Sequence, residues 1–494
     1  MPCNAMRRWA DNEGVAMAEL KKGLGFFQLL ALGVAGLIGS SWIYTNSKFF
    51  DKYGAGGMIF GMLLGGLLAS CVALAYSELT TLFPRAGGEV VYSYVGLGRR
   101  ASFATGWLLT GAYLSSTAFY VTAFGYLLEK IWPNLGSVSL YSVNRESVDM
   151  TVLIIGVVLT LIIAAMNWFG VSLSGQIQTV LFVAMVVIGL ALVVTALVTG
   201  SPSNFIPPYR ADANALGDTL RFVVPGMTYM AGFGLVAALA EDADIPARKI
   251  GRITVLTVLT ATLFYCLVLA SSAWILPWQD VAKMHLGTID AYTTAGFPIL
   301  GWGAWIIAIC GLLTSFLGLF MAISRIVVAM ARARLLPEGL AAVDEESGAP
   351  RRAILLTTVM TLLLGALGPG AMLWFLDTGG IYLGLVWIIV VITLSTLPKK
   401  YPHLRSKYHA GWLPWVGAVG ALVTVVMAIW PGTNTSLVWP GEYLVLLVWA
   451  VIGFILWRLA KPMGEDEALG SLLGSYADDL KENLGEVEQT RARS

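Results

Sequence analysis

The chain has 494 residues, of which 57% are hydrophobic and only 12% are charged. Soluble domains are about 25% charged, so a chain of this composition lacks the groups that solvate a globular surface. The composition therefore excludes a set of soluble domains and indicates an integral membrane protein. The net charge of +1 gives no indication of a nucleic-acid partner.

Apolar stretches of about 20 residues, the length that spans a bilayer, recur along the whole chain. They predict an all-α integral membrane protein with twelve transmembrane helices, numbered here as spans 1 to 12. In order, these spans are 25–45, 54–80, 103–131, 151–169, 176–200, 217–241, 252–276, 298–332, 352–369, 376–397, 412–431 and 438–459. A polar segment 1–24 precedes them, an extracellular loop 201–216 separates spans 5 and 6, and a polar tail 461–494 follows them.

Lysine and arginine are concentrated in the loops on the side of the two termini, for example at Arg7, Arg8, Lys399 and Lys400. Because positively charged loops stay in the cytoplasm, this asymmetry predicts that both termini are cytoplasmic. We expect a multi-pass protein of the cell membrane, of the bacterial inner-membrane type.

Glycine interrupts two of the predicted spans. Span 1 contains Gly33, Gly36 and Gly39, followed by Ser40 and Ser41. Span 6 contains a second cluster made of Pro225, Gly226, Gly232 and Gly234. A single cluster of this kind is also explained by close packing against a neighbouring helix.

The positions of the two clusters favour a functional interpretation over packing alone. They lie in the first span of each of two five-span blocks, 25–200 and 217–397, with spans 11 and 12 in 398–460. Five is an odd number, so the second block enters the membrane with inverted topology. Paired interruptions in two inverted halves indicate the central site of a transporter, where discontinuous helices 1 and 6 expose backbone amides and carbonyls.

Several motifs in order along residues 25–460 resemble the amino acid–polyamine–organocation (APC) transporter family, which has the fold of the leucine transporter. They are Gly36-Leu37-Ile38-Gly39-Ser40, Ala75-Tyr76-Ser77-Glu78-Leu79, Pro84-Arg85-Ala86-Gly87-Gly88, Asn167-Trp168-Phe169-Gly170, Ala231-Gly232-Phe233 and Met330-Ala331-Arg332. The resemblance implies a 5+5 inverted repeat with a substrate bound between spans 1, 3, 6 and 8.

The resemblance also implies which residues bind an amino acid. The amides of Gly39, Ser40 and Ser41 would hold its carboxylate. The carbonyls near Tyr229 and Ala231, beside Gly232, with Ala35 or Ile38, would take its ammonium group. Tyr229 and Phe233 would pack on the side chain or gate access, although ordinary helix packing is an equal alternative. On span 3, the pocket-lining positions would be Gly111, Ala112, Ser116 and Phe119.

Two departures from the family pattern bear on specificity and coupling. Gly234 stands where many relatives have a carboxylate or an amide, which disfavours a strongly cationic substrate. Met185 stands where proton-coupled relatives have a lysine. The fold offers sodium as an alternative coupling ion, with Ala35, Ile38, Gly311, Thr314 and Ser315 as candidate ligands, because five hard oxygen atoms suit such a cation. Hydroxyl groups that bond to their own helix are the structural alternative.

The sequence thus predicts a secondary active transporter of amino acids or related small amines, coupled to sodium or, alternatively, to protons or exchange. Charged residues near the cytoplasmic ends are expected to form an inner gate: Glu78, Arg85, Glu241, Asp242 and Arg325. A channel or a transport-like receptor is the alternative class. No nucleotide loop, metal-ligand set or nucleophile–histidine arrangement is present, so we expect no enzyme activity and no cofactor other than the coupling ion. The particular substrate and the oligomeric state stay open.

Overall fold

The computed structural model describes residues 23–477, except residues 129, 133–134, 137, 145, 212–213, 403, 405–408, 432–435 and 475. Most of the described chain is helical. In chain order the helices are α1 (Phe26–Leu37), α2 (Ser41–Tyr44), α3 (Asn46–Leu82), α4 (Glu89–Leu97), α5 (Arg99–Leu128), α6 (Met150–Trp168), α7 (Val171–Thr199), α8 (Ala215–Tyr229), α9 (Gly234–Ala238), α10 (Ala247–Ile275), α11 (Trp278–Val281), α12 (Thr288–Thr294), α13 (Pro298–Arg332), α14 (Arg351–Gly365), α15 (Met372–Lys400), α16 (Leu413–Ile429), α17 (Gly441–Leu459) and α18 (Glu465–Leu473).

Seven helices of the described chain contain a stretch long and apolar enough to cross a membrane. They are α3, α6, α7, α10, α13, α15 and α17. Two shorter apolar helices, α1 and α16, are present as well. The protein is therefore a multi-pass, helical membrane protein, while the count of twelve spans and the inverted repeat stay predictions.

Both predicted interruptions are present as breaks in the helices. The first break separates α1 from α2 at residues 38–40, and the second separates α8 from α9 at residues 230–233. Gly232 has a φ of +110°, a conformation that residues with a side chain rarely adopt. The glycine clusters thus mark the positions at which each helix loses its regular hydrogen bonds.

Two elements depart from the predicted arrangement of long helices joined by loops. The hairpin of β1 (Ser139–Val143) and β2 (Glu146–Asp149) lies between α5 and α6, so the fold is not purely α-helical. Its strands contain β-branched and aromatic residues, which favour extended backbone. Helix α4 is too short to span a bilayer. It also lacks the alternation of buried and exposed residues that is typical of a surface helix, because the consecutive residues Val90, Val91 and Tyr92 are all buried.

Helix α13 lies at the centre of the bundle, where it packs against α1, α5 and α7. A second group is formed by α3, which packs against α8 and α10. The outer helices α6, α7, α16 and α17 expose many apolar side chains, such as Leu197 and Leu459. Water does not favour such surfaces, so these faces fit contact with lipid.

The tail begins with helix α18, which packs against α4 and α13. Leu469, Leu472 and Leu473 are buried in this contact. The Arg85 side chain donates a hydrogen bond to the Leu472 carbonyl oxygen at 3.2 Å. Leu480 and Leu484, further along the tail, lie outside the described residues.

Candidate functional site

The first break frees backbone groups at the end of α1. The Gly39 amide donates to the Leu37 carbonyl at 2.9 Å, so it is occupied in this structure and is not free for a carboxylate. The amides of Ser40 and Ser41 have no backbone partner within the described residues. The Ser40 hydroxyl is buried and also lacks a partner there. Unpartnered buried polar groups are rare and call for a ligand or water.

The second break lies directly against the first. A side chain at Gly232 would come within 3.4 Å of the Gly36 carbonyl oxygen. The side chain of Leu235, at the start of α9, occupies the space beside Gly36. The Ala231 carbonyl has no partner in the part of the chain that the structure describes. The two breaks, one with free amides and the other with a free carbonyl, therefore lie against each other.

Tyr265 of α10 connects the two breaks. Its hydroxyl donates to the Leu37 carbonyl at 2.8 Å and lies 3.4 Å from the Tyr229 carbonyl. The Trp42 ring packs edge-on against the Tyr265 ring at 4.9 Å, and its indole nitrogen donates to the Gly39 carbonyl at 2.7 Å. These two side chains fix the geometry of the carbonyls at which helix α1 ends.

Partial exposure distinguishes several predicted binding residues from their neighbours. The half-buried positions at the breaks and on the facing part of α5 are Gly39, Ser41, Ser116, Tyr229 and Ala231. Most residues around them are fully buried. These positions are therefore the parts of the breaks and of the facing helix that solvent reaches.

The five residues predicted to bind sodium come together. Thr314 donates its hydroxyl to the Ala35 carbonyl at 2.8 Å, and Ser315 does so at 3.3 Å. The Thr314 hydroxyl is also 3.1 Å from the Gly311 carbonyl. A side chain at Gly311 would lie 2.9 Å from the Ile38 carbonyl oxygen. These oxygen atoms are the hard ligands that suit a small cation, so the residues present fit a sodium ion.

The predicted pocket face of α5 is only partly directed at the breaks. A side chain at Gly111 would collide with the indole of Trp449 on α17, so Gly111 packs away from the breaks. The Ala112 carbonyl faces Gly379 of α15. Ser116 bonds to its own helix at Ala112, and the Phe119 ring packs against Tyr120. The hydroxyl of Tyr120, in turn, faces Gly39 at 3.2 Å from the position of a side chain there.

The aromatic residues of the second break have different surroundings. Phe233 is fully buried and packs against Tyr76 at 4.9 Å and Trp387 at 5.3 Å. Tyr229 is half-buried, and its hydroxyl lies next to those of Ser41 and Thr45. Tyr229 is thus placed at the accessible side of the break, whereas Phe233 is part of the packing beneath it.

Buried ion pairs hold the segment that follows α9. Arg325 binds Asp242 through two hydrogen bonds of 3.0 and 3.2 Å, and Arg332 binds Glu241 through two of 2.9 and 3.1 Å. The Arg85 side chain lies 3.7 Å from Glu241. Four of the five predicted gate residues, with Arg332, thus form one cluster.

Glu78, the fifth predicted gate residue, lies outside this cluster. Its carboxylate accepts a hydrogen bond from the Ala410 amide at 2.9 Å. It is also 3.3 Å from His409 Nδ1. Glu78 therefore ties α3 to the segment before α16.

Three residues that contact the candidate site were not identified from the sequence, namely Tyr265, Tyr120 and Gln178. Gln178 of α7 is fully buried and donates to the Thr314 carbonyl at 2.7 Å, beside the candidate sodium ligands. A polar group within an apolar span is itself a signal of function, and it would have singled out Tyr265 and Gln178. Nothing in the sequence distinguishes Tyr120 from the adjacent Phe119.

Two broken helices that meet inside a bundle of membrane-length helices define a membrane transporter of the discontinuous-helix class. Residues 24–455 match the amino acid permease family. The chain belongs to this family, within the APC superfamily.

Similar proteins include named transporters of amino acids. The branched-chain amino acid permease BcaP of Lactococcus lactis is 26% identical over 79% of this chain and 85% of the relative. BcaP of Bacillus subtilis is 24% identical over 89% of this chain and 93% of the relative. The aspartate-proton symporter of Bacillus subtilis is 21% identical over 87% of this chain and 83% of the relative.

Proposed function

We propose that this protein is a secondary active transporter that moves a neutral amino acid across the cell membrane by alternating access around the two breaks. The observation that carries the proposal is the set of unpartnered polar groups at the breaks, the Ser40 and Ser41 amides, the Ser40 hydroxyl and the Ala231 carbonyl. Amides and hydroxyls suit a carboxylate, and a carbonyl suits an ammonium group.

The surroundings of the breaks favour an apolar substrate side chain. Aromatic rings of Trp42, Phe119, Tyr120 and Tyr229 lie at or near the breaks. Two of the relatives described above are named as permeases of branched-chain amino acids. We therefore expect an amino acid such as leucine to bind better than lysine or arginine.

Alternating access would require the two short segments α2 and α9 to move relative to the central helices. We propose that twelve spans, in a 5+5 inverted repeat followed by two further helices, support this motion, with both termini in the cytoplasm. The ion pairs of Glu241 and Asp242 would then close the cytoplasmic end. They must separate when that end opens, because α9 leads directly into them.

We propose sodium as the coupling ion at the oxygen atoms of Ala35, Ile38, Gly311, Thr314 and Ser315. In this arrangement the hydroxyls of Thr314 and Ser315 would turn their lone pairs, rather than their protons, toward the ion. Such a site joins α1 to α13, so a bound cation would favour one arrangement of the first break. Proton coupling or exchange is the second candidate, and the aspartate-proton symporter among the relatives favours it.

The proposal is tested with the purified protein in two steps. In a thermal-shift screen, a neutral amino acid should raise the melting temperature, because binding to the native state stabilises it. L-Leucine uptake into proteoliposomes is then measured with sodium or choline at fixed pH and voltage. No stabilisation by any amino acid and no counterflow would refute amino acid transport. Uptake that is unchanged in choline would refute sodium coupling alone.

A further inference from the structure

A buried glutamate lies directly beneath the second break. Glu89 is the first residue of α4 and is 0% exposed. Its carboxylate fills the space next to Gly234, so a side chain at Gly234 would collide with Glu89 Oε1. Span 6 has Gly234 at the position where many relatives have a carboxylate or an amide. In this protein the Glu89 carboxylate, from another helix, lies beside that position.

The local backbone holds Glu89 in this place. Gly87 and Gly88, with φ values of +77° and +22°, turn the chain just before α4. The Gly87 amide donates to the Ala238 carbonyl at 3.2 Å, and Gly88 packs against Ala237. Both contacts are with the end of α9, so Glu89 is attached to the segment that we expect to move.

Glu89 has no counter-ion among the residues that the structure describes. Neither of its carboxylate oxygens has a hydrogen bond of ordinary geometry in the described chain, and no ion pair joins it to a described lysine or arginine. The titratable groups that face it are tyrosines from three helices, Tyr76 of α3, Tyr92 of α4 and Tyr113 of α5. The Tyr76 hydroxyl lies beside the carboxyl group, and Tyr92 is held by Thr80 at 2.7 Å.

An uncompensated charge in such a place is unfavourable, so the carboxyl group prefers its neutral form. Burial raises the pKa of Glu89 from 4.5 to about 8. Water that enters beneath α9 would hydrate the carboxylate and lower this pKa toward its ordinary value. The same group would then hold a proton in the closed arrangement and lose it in the open one.

We propose that Glu89 is a proton-binding residue of the transport cycle: its carboxylate takes up one proton before the cytoplasmic end opens and releases it there as α9 moves away. The step is a protonation and deprotonation of one carboxylate oxygen and breaks no other bond. The inference rests on the proposed function, because it needs α9 to move during transport. Glu89 is on a different helix from the candidate sodium ligands. A substitution of Glu89 therefore tests the proton without removing a candidate ligand of the sodium ion.

The first test needs no substrate and compares the wild type with Glu89→Gln, which imitates the neutral carboxyl group. Because folding raises the pKa of Glu89 from 4.5 to about 8, ionisation stabilises the unfolded state more than the folded one. The wild type should therefore lose stability as pH rises from about 4.5 to about 8, and the loss should then level off. We expect the melting temperature of Glu89→Gln minus that of the wild type to grow by several degrees over this range.

The second test measures transport in proteoliposomes. With sodium at equal concentration on both sides, an inward proton gradient should drive L-leucine accumulation by the wild type, and Glu89→Gln should lose this accumulation while it retains L-leucine counterflow. Glu338→Gln is the control in both tests, since Glu338 begins a short 3-10 helix, Glu338–Ala341, and its side chain is 56% exposed. This control should behave like the wild type.

Each outcome decides either the role of Glu89 or the proposed transport of amino acids. Proton-driven accumulation that persists in Glu89→Gln, or a melting-temperature difference that is independent of pH, would overturn the role of Glu89. If Glu89→Gln does not fold, the wild type alone tests the role of Glu89. Wild-type protein that shows L-leucine counterflow but no accumulation in response to a proton gradient would overturn this role and leave the proposed transport function intact. Absence of L-leucine binding and counterflow in every variant would count against the proposed function, and the pH dependence of melting would still report on Glu89.

Discussion

The two broken helices are held by different kinds of interaction. At the first break, neutral hydrogen bonds from α10 and α13 satisfy the carbonyls of Leu37 and Ala35. At the second break, the left-handed Gly232 makes the turn, and buried ion pairs hold the chain beyond α9. A bound molecule or cation can replace neutral hydrogen bonds without separating charges. The chain beyond the second break, in contrast, is held to α13 by ion pairs, so that moving it away from α13 would separate charges, as expected of a gate.

The largest expected effect tests the ion pairs of the second break. Arg325→Ala leaves Asp242 as a buried, unpaired charge, because both side chains are 1% exposed. Loss of one partner of such a pair costs about 3–5 kcal/mol. We expect a large decrease in melting temperature of the detergent-solubilised protein.

The control for this variant is Arg334→Ala. Arg334 pairs with Glu338 at 2.8 Å, but both side chains are largely solvated, at 36% and 56% exposure. Exposed pairs contribute about 0–1 kcal/mol. Equal decreases for the two variants would contradict a special role for the buried pair.

The next largest effect tests the turn at the second break. Gly232→Ala places a side chain on a residue with φ of +110°. Such strain costs on the order of 1–3 kcal/mol, and the segment should relax by shifting α9. We expect a lower melting temperature together with weaker stabilisation by L-leucine.

Gly470→Ala is the matched control, since Gly470 lies within helix α18 and has open space around it. Alanine favours a helix over glycine by up to about 1 kcal/mol. The control should therefore be neutral or slightly more stable. A Gly232→Ala protein that melts and binds like the wild type would show that the turn is not required.

A smaller effect tests the link between the two breaks. Tyr265→Phe removes the hydroxyl that donates to the Leu37 carbonyl. A hydrogen bond of this kind contributes about 0.5–1.5 kcal/mol. We expect a modest loss of stability and a several-fold weaker apparent affinity for L-leucine. Tyr382→Phe is the control, because the buried Tyr382 hydroxyl has no partner among the described residues. The link would be disproved if both variants had the same affinity.

The smallest effect on stability tests the ligands at the first break. Thr314→Val removes one hydroxyl oxygen near the Ala35 carbonyl while it keeps the shape of the side chain. We expect a change in stability below about 1 kcal/mol but at least a tenfold increase in the sodium concentration needed for half-maximal uptake. Thr358→Val should leave this concentration unchanged, because the Thr358 hydroxyl bonds to Ile354 of its own helix. An unaltered sodium response in Thr314→Val would exclude this threonine as a ligand.

Local patterns in the sequence predicted the positions of the long helices and of both breaks. Helix α13, at Pro298–Arg332, begins and ends at the predicted residues, and α6, at Met150–Trp168, differs by one residue at each end. Long apolar runs and glycine clusters act on the chain locally, so they can be interpreted without knowledge of the neighbours. The grouping of Ala35, Thr314 and Ser315 followed from the family resemblance, and the structure places these residues together.

Other features could not be predicted because they depend on which helices become neighbours. Gly111 looked like a pocket residue, yet it accommodates Trp449 from a helix more than 300 residues later in the chain. Helix α4 is buried on several sides at once, so its sequence shows no amphipathic period. The ion-pair partners of Glu241 also lie on distant segments, at Arg85 and Arg332.

The sequence by itself determined that this is a helical membrane protein with two interrupted spans, because hydrophobic length and glycine placement are local properties of the chain. The amino acid permease type was indicated by the resemblance of its motifs to a known family. Only the tertiary structure decided which polar groups meet without partners. Glu89 is the clearest example, since in the sequence it is one glutamate after two glycines. Its burial beneath Gly234 arises because a turn, a short helix and the end of α9 pack together. The chemistry of such a group depends on its surroundings, and packing alone supplies those surroundings.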